Sequence, residues 1–251
     1  MWENGNIDVF SSSSLGALIE NRIPAVRIEA FADVHEADAL ATGLLEYVCR
    51  TSSIRQVTRL GISQYEQGVR VSKDNYFNLA RRLDPEFAQI YASCFSPVRR
   101  LINQLEKKGF DAGIMSEPGM GDYFAGNGKL RNGYSPIHVD FAPQDSANWA
   151  IAEAGAQLAW NLYLRVPAEG GELLLWDKYW QPEDDRYQVD GNYFYDDAVV
   201  RDARMVRVSV SPGEVIIINS RNFHAVSEAR DRLAFGSFIS VFKGDRLRLW
   251  S

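Results

Sequence analysis

The sequence is poor in cysteine and histidine. It contains two cysteines and three histidines among 251 residues. Cys49 and Cys94 each lie in an apolar segment of helical character, and neither has a second cysteine nearby. This excludes a cysteine-based metal site and the disulfide framework of a small secreted protein.

Excess positive charge and long apolar runs are also missing. The net charge is -6, so no overall positive field attracts nucleic acid. No apolar run approaches the ~18 residues that span a membrane, and the first residues lack the basic and apolar segments of a signal peptide. We therefore expect a cytoplasmic protein whose partner is a small molecule, not nucleic acid or a membrane. The sequence leaves the oligomeric state open.

Length and composition suit one large domain, because 46% of the residues are hydrophobic and 24% are charged. Within residues 1–251 we expect a helical support region over 1–110 and a strand-rich core over 111–251. A strand is predicted at 24–31, followed by an amphipathic helix that Asp33 caps.

A second helical region is predicted to begin at Asp84, with Pro85 at the first helical position. Gly109 is expected to end it, and Pro97 to kink it or divide it in two.

The texture changes from about Asp111, where short apolar runs alternate with Gly, Pro and Asn turns. Seven or so such runs predict a barrel or a sandwich, with the helices packed outside. The fold class expected is therefore α+β with a mainly β core. The runs are "GDYFAG", "SPIHVDFAP", "AQLAWNLYLRV", "GGELLLW", "RMVRVSVS", "GEVIIINS" and "RLAFGSFISVF".

One of these runs, "YSPIHVDFAP", carries a histidine and an aspartate in an apolar setting. Side chains alternate along a strand, so His138 and Asp140 project to the same face. One interpretation is a core histidine whose hydrogen-bond partner is Asp140. The other is a metal site, which needs a third ligand from elsewhere.

His224 supplies a candidate third ligand, because it follows the apolar strand "GEVIIINS" at a strand end. Two imidazoles and one carboxylate can hold Fe(II) and leave three positions open. Two of these suit a bidentate 2-oxo acid and one suits O2. Arg232, eight residues after His224, offers the planar cation that the distal carboxylate of such an acid needs.

Residues from about Gly121 to Phe242 resemble the double-stranded β-helix, or jelly-roll, core of the Fe(II)/2-oxoglutarate-dependent oxygenases. Four segments in the same order carry the resemblance: "YFAGNGKLRNGYSPIHVD", "LAWNLYLRVPAEGGELLLWD", "PGEVIIINSRNFHAV" and "RLAFGSFISV".

The resemblance implies Fe(II), 2-oxoglutarate and O2 as cofactor and co-substrates. It implies His138, Asp140 and His224 as metal ligands. Arg232 matches the residue that binds the 2-oxoglutarate carboxylate; Arg230 is its rival but falls in the polar turn "SEARD". Tyr123 and Asn161 match positions that could touch the co-substrate, and both also suit ordinary structural roles.

Within this superfamily, the modest length and the segment "GGELLLWDKYWQPEDD" resemble the free-standing amino-acid hydroxylases and the radical halogenases that act on free lysine and similar substrates. Such halogenases have Gly or Ala in place of the aspartate, whereas this chain has Asp140. Hydroxylation of an unactivated C–H bond in a free amino acid or a derivative is therefore favoured. The alternatives are a hydroxylase of a peptidyl or carrier-bound residue and a non-catalytic small-ligand-binding protein.

The substrate pocket is harder to predict. A substrate carboxylate could bind an arginine, and a substrate amine could bind an aspartate, although each candidate could also be a surface residue. The aromatic and acidic segment 177–199 could be a lid, or a surface excursion stabilised by its own tyrosines. The candidate substrate residues are Arg70, Asp122, Arg131, Tyr134, Trp176 and Asp177, with Asp74 beside Arg70 in the same polar segment.

Overall fold

The computed structural model describes residues 1–51, 57–65 and 72–251. The strands lie at Ile7–Val9 (β1), Ala25–Ile28 (β2), Val57–Leu60 (β3), Asp111–Ile114 (β4), Ser116–Glu117 (β5), Gly121–Asp122 (β6), Asn127–His138 (β7), Ala156–Arg165 (β8), Leu173–Tyr179 (β9), Met205–Val208 (β10), Val215–Asn219 (β11), Asn222–Phe242 (β12) and Arg246–Trp250 (β13). The α-helices lie at Ser12–Ile19 (α1), Val34–Thr51 (α2), Lys73–Ala92 (α3), Pro97–Lys107 (α4) and Ala142–Asp145 (α5), and short 3-10 helices at Ala150–Glu153, Pro182–Tyr187 and Asp197–Val200.

Eleven of these strands form one sheet, and β5 and β6 form a separate pair. The main path of the sheet runs β1-β2-β11-β8-β12-β13-β4, and β7 and β9 also pair with β12. The 21-residue strand β12 is therefore the hub of the sheet. Its first half meets the end of β7 and β9, and its second half meets β8, β13 and the start of β7. The mainly β core predicted from the sequence is confirmed.

The central strands of the sheet are buried almost without interruption. All five residues of β11 are buried, as are eight of the ten in β8, because the central strands are covered on both faces. These strands and the helices share one large hydrophobic core, and a second, smaller apolar cluster lies apart from it. The members of the smaller cluster are Ile137, Phe141, Trp180, Tyr195, Val199, Val200, Phe223 and Ala225.

The predicted start of α2 is confirmed. The Asp33 backbone N–H donates to Glu36 Oε2 over 3.1 Å, and the Glu36 N–H donates to Asp33 Oδ1 over 2.9 Å. These reciprocal bonds satisfy two N–H groups that have no partner inside the helix. The strand predicted before it is present as β2.

The predicted helix start at Asp84 and Pro85 is wrong. Helix α3 begins at Lys73, is capped by Ser72, and passes through Pro85. A proline inside a helix removes one hydrogen bond, but the helix buries a continuous apolar face on both sides of it, which compensates. Pro97 divides the helical region in two, as predicted, because α3 ends at Ala92 and α4 begins at Pro97. Gly109, with φ of +92°, follows the end of α4, also as predicted.

The first 110 residues are not only a helical support. Strand β2 pairs with β11, and β3 pairs with β7, so this region also contributes strands to the main sheet. The description of residues 1–251 as one domain remains a prediction. Among the described residues, no helix is long and apolar enough to cross a membrane.

Candidate metal centre

The two candidate histidine ligands face each other across the ladder between β7 and β12. His138 is the last residue of β7, His224 lies near the start of β12, and the two are paired in register. Their ring centroids are 4.2 Å apart. Asp140 follows β7 by two residues, so antiparallel pairing brings together three side chains that the sequence separates by up to 86 positions.

The backbone of Asp140 is fixed by three hydrogen bonds, two with Ser220 and one with Gln157. Its N–H donates to the Ser220 carbonyl over 2.9 Å. Its own carbonyl accepts from the Ser220 hydroxyl over 2.8 Å and from Gln157 Nε2 over 3.1 Å. Gln157 and Ser220 are fully buried, so they hold the aspartate in place beside the histidines.

Backbone carbonyls determine which nitrogen of each imidazole faces the site. Nδ1 of His138 lies 2.8 Å from the Pro136 carbonyl, and Nδ1 of His224 lies 2.9 Å from the Asn222 carbonyl. A carbonyl only accepts, so each Nδ1 carries the proton and each Nε2 keeps its lone pair.

The free lone pairs and the carboxylate converge on one point. Asp140 Oδ2 lies 3.5 Å from His224 Nε2 and 3.9 Å from His138 Nε2. One ligand atom from each of the three residues lies within 4.8 Å of the other two.

Electrostatics keeps His138 and Asp140 in their metal-binding protonation states. Burial, assisted by the nearby His224, lowers the pKa of His138 to about 3, so its imidazole is neutral at neutral pH. Burial alone would raise the pKa of Asp140, but the neighbouring His224 and His138 outweigh it and hold that pKa below its usual value. Two neutral imidazoles and one carboxylate are a donor set that fits Fe(II).

A cavity extends from this cluster into the sheet and has a polar and strongly basic lining. Besides the three candidate ligands, its polar lining includes Asn127, Lys129, Arg131, Asn161, Tyr163 and Arg232. Arg232, Asn161 and Arg131 were expected near the site from the sequence, and the structure places all three in this cavity.

Arg232 is buried and positioned by its neighbours. Its Nε donates to the Gly171 carbonyl over 3.0 Å, and its guanidinium lies 5.0 Å from the centre of the Tyr163 ring. Gly171, with φ of +75°, suits this contact because a Cβ there would lie 3.1 Å from Arg232 Cδ. Arg230, the rival in the sequence, is exposed.

Two lining residues were missed in the sequence, although strand alternation could have found them. Tyr163 lies two residues after Asn161 on β8, and Lys129 lies two residues before Arg131 on β7. The Tyr163 hydroxyl is buried and has no hydrogen-bond partner within residues 1–51, 57–65 and 72–251. A buried hydroxyl left in this state suits a ligand that supplies an acceptor.

Tyr123 does not line the cavity, so its placement does not support the expected contact with a co-substrate. Its ring packs among other aromatic side chains, including Tyr76 and Trp149, and its hydroxyl donates to Glu117. Its burial is explained by this aromatic cluster.

Four of the six candidate substrate residues also lie outside the cavity. Asp122 and Tyr134 are exposed, and Trp176 packs against the smaller apolar cluster. Asp177 accepts from the Trp2 backbone N–H and pairs with Arg204 over 2.9 Å, which anchors the N-terminus. Arg70 lies outside the described residues, and Asp74 lies in the first turn of α3.

Segment 177–199 folds against the metal-site strand. The backbone of Phe194 forms a bridge with His138, and the Tyr195 N–H donates to the Ile137 carbonyl over 2.8 Å. The exposed ring of Tyr193 lies edge-on to the His138 ring, with centroids 5.5 Å apart. The segment therefore covers one side of the candidate metal centre.

The sequence is similar to those of known oxygenase and halogenase relatives. Residues 68–251 match the family model of the carrier-protein-independent halogenase WelO5. Leucinostatins biosynthesis cluster protein S of Purpureocillium lilacinum is 31% identical over 209 residues, which is 76% of this chain and 84% of that protein. The L-gamma-glutamyl-L-propargylglycine hydroxylase of Streptantibioticus cattleyicolor is 32% identical over 99 residues, covering 38% of this chain and 36% of that protein.

A solved structure shares the fold. The N-substituted L-amino acid dioxygenase of Burkholderia ambifaria, solved in complex with α-ketoglutarate, superposes with a TM-score of 0.65 at 17% identity. The superposition covers 96% of this chain and 91% of the other.

Proposed function

We propose that this chain, which belongs to the family of the carrier-protein-independent halogenase WelO5, hydroxylates an unactivated C–H bond of a free amino acid or an amino-acid derivative. It is an Fe(II)/2-oxoglutarate-dependent oxygenase. The observation that carries the proposal is that one cavity holds both the convergent His138, Asp140 and His224 side chains and a buried arginine.

The chain's own residues would hold the iron and the co-substrate. His138 and His224 would bind the metal through Nε2, and Asp140 through a carboxylate oxygen. When bound, iron with 2-oxoglutarate and O2 supplies the oxidant, releases succinate and CO2, and delivers one oxygen atom to the C–H bond.

Arg232 and Tyr163 would hold the distal carboxylate of 2-oxoglutarate. Arg232 Nε donates to the Gly171 carbonyl, so the two outer guanidinium nitrogens remain to bind an anion. The Tyr163 hydroxyl can donate a second hydrogen bond. Asn161 lines the same cavity and offers an amide to the co-substrate.

The presence of Asp140 favours hydroxylation over halogenation. A halogenase of the lysine type needs an open coordination position where this carboxylate stands. Ser220 and Gln157 fix the backbone of Asp140, so the carboxylate is held toward the histidines. With a metal bound, the Asp140 carboxylate would take the coordination position that a halide needs.

Amino-acid substrates are favoured by the cavity lining and by the relatives. Arg131 lies in the wall of the cavity, and the ring of Tyr193 packs against the candidate ligand His138. The relative in Streptantibioticus cattleyicolor is named as a hydroxylase of a γ-glutamyl amino acid. The solved neighbour from Burkholderia ambifaria is named as a dioxygenase of N-substituted L-amino acids.

The test is substrate-dependent consumption of 2-oxoglutarate. The protein is reconstituted anaerobically with Fe(II) and 2-oxoglutarate, mixed with free amino acids and γ-glutamyl dipeptides, and exposed to O2. The proposal predicts succinate in equal amount to a product that has gained one oxygen atom. A His138→Ala variant, which lacks one candidate metal ligand, serves as the inactive control. Succinate release that no compound of the panel stimulates, without oxygenated product, would contradict the proposal.

A further inference from the structure

Three cationic side chains line the cavity, but among the described residues the only carboxylate in its lining is that of the candidate ligand Asp140. Arg131 and Arg232 are direct partners in the β7–β12 ladder, so their side chains start from neighbouring positions on one face. Lys129 lies two residues before Arg131 on the same face of β7. Like charges this close are unfavourable unless an anion joins them.

A charge balance shows which cations remain. This step rests on the proposed function. Bound Fe(II) would be neutralised by Asp140 and by the 2-oxo carboxylate, and Arg232 by the distal carboxylate of 2-oxoglutarate. Lys129 and Arg131 are left without a counter-charge once the metal and the co-substrate are bound.

We propose that Lys129 and Arg131 form a second anion subsite that binds a free carboxylate of the primary substrate. The enzyme would then act on a free acid and not on a residue whose carboxyl group is tied up in a peptide bond or a carrier thioester.

The hydrogen bonding of the two residues agrees with a role in ligand binding. Arg131 Nη1 donates to the Tyr134 carbonyl over 2.9 Å, but its Nε is buried without a partner in the described part of the chain. Lys129 makes no hydrogen bond or ion pair with any described residue. Burial, with the nearby Arg59, lowers the pKa of Lys129 to about 8, so it is still mainly an ammonium at neutral pH.

Their surroundings place the subsite between the metal and the covering segment. Lys129 interacts electrostatically with Asp140, on the metal side. Arg131 lies near Tyr193, whose ring packs against His138. A carboxylate bound by these two cations would keep the rest of a small substrate between the ligand cluster and Tyr193.

The co-substrate does not need this subsite. The distal carboxylate of 2-oxoglutarate already has two donors in Arg232 and Tyr163, and its other carboxylate belongs at the metal. Variants of Lys129 and Arg131 should therefore affect the substrate far more than 2-oxoglutarate.

The first experiment needs no substrate and no turnover. In the metal-free protein, Lys129→Met should raise the Tm by roughly 2–4 °C, because an apolar side chain replaces a half-buried ammonium that has no hydrogen bond or ion pair with a described residue and lies near two arginines. Lys243→Met, at an exposed lysine, is the matched control and should leave the Tm unchanged. A lower Tm for Lys129→Met would mean that Lys129 has a structural partner, and would overturn the proposal.

The second experiment measures binding with Mn(II) in place of iron, so that no reaction occurs. The Mn(II) and 2-oxoglutarate complex is titrated with free L-amino acids and γ-glutamyl dipeptides and with their methyl esters, and binding is followed as a rise in Tm. The acids should bind and the esters of the same carboxyl group should not. Lys129→Met and Arg131→Gln should each weaken acid binding by roughly ten-fold or more, while Arg230→Gln should not.

Three results would overturn the proposal. Equal binding of acids and esters would show that no carboxylate is recognised. A loss of 2-oxoglutarate affinity in Lys129→Met would assign Lys129 to the co-substrate. Protection by chloride equal to that by the acids would assign the cations to a halide. If acids bind as expected but the iron enzyme forms no oxygenated product, the proposed function fails while the subsite stands.

Discussion

His138 and His224 lie opposite each other in the antiparallel ladder of β7 and β12, with ring centroids 4.2 Å apart. Their Nδ1 atoms are both occupied by backbone carbonyls two residues earlier in the chain. The same local geometry therefore turns both Nε2 atoms toward Asp140. A carbonyl in each strand orients one histidine, and the pairing of β7 with β12 brings the two histidines together.

This arrangement predicts that both histidines are needed for metal binding and that neither is needed for folding. His138→Ala and His224→Ala should each lose stoichiometric Fe(II) binding, measured as metal content after dialysis, while the circular dichroism spectrum stays unchanged. His35→Ala, at an exposed histidine on α2, is the control and should bind Fe(II) normally. Full metal content in either cavity variant would refute the ligand assignment.

Arg232 and Tyr163 are predicted to hold the co-substrate. Arg232→Ala should raise the KM for 2-oxoglutarate by roughly ten- to a hundred-fold, because a charge-assisted hydrogen bond is lost in a buried site. Tyr163→Phe should raise it by roughly two- to ten-fold, because a neutral bond is lost. The KM for the primary substrate should change little in both.

Arg230→Ala provides the control for this assignment, because Arg230 is exposed two residues from Arg232. It should leave the KM for 2-oxoglutarate unchanged. If Arg230→Ala raised that KM and Arg232→Ala did not, the placement of the co-substrate in the cavity would be incorrect.

Stability at acid pH should depend on the ion pair between Glu36 and Arg100. Two Arg100 nitrogens donate to the Glu36 carboxylate over 2.6 and 2.8 Å, and this bonding lowers the pKa of Glu36 from 4.5 to about 2. A depressed carboxyl pKa contributes stability above about pH 4.5, and the contribution is lost as the pH falls toward 2.

Glu36→Gln should therefore lower the free energy of unfolding by about 1 kcal/mol at neutral pH, since the pair is partly exposed to solvent. The difference from wild type in urea denaturation should shrink as the pH falls from 4.5 toward 2. Glu46→Gln, at an exposed position on the same helix, should match wild type throughout. A constant difference at all pH values would show that the charge of Glu36 is not responsible.

The sequence was most informative where one strand carries the information. The spacing of His138 and Asp140 follows from the two-residue period of a strand, and Arg232 was distinguished from Arg230 by its apolar surroundings. Helix caps were readable where a side chain and a backbone N–H lie three residues apart, as at Asp33. These are local relationships, and local patterns determine them.

Residues that depend on distant contacts were harder to predict. The sequence suggests Tyr123 as a co-substrate contact, but in the structure its ring packs in an aromatic cluster and its hydroxyl donates to Glu117. Asp177 is held by Trp2 and Arg204, which lie 175 and 27 positions away. Pro85 is tolerated inside α3 because the packing of that helix outweighs the missing hydrogen bond. In each case tertiary packing overrides the local signal.

The central claim is that Asp140 occupies a metal position and thereby directs the enzyme to hydroxylation. The most direct measurement is the mass of the product that the wild-type enzyme forms from an accepted substrate with isotopically labelled O2 and saturating chloride. The account predicts a product with one labelled oxygen atom, formed in step with succinate, and no chlorine isotope pattern. A dominant chlorinated product would contradict it, because chloride would then be bound where Asp140 is placed.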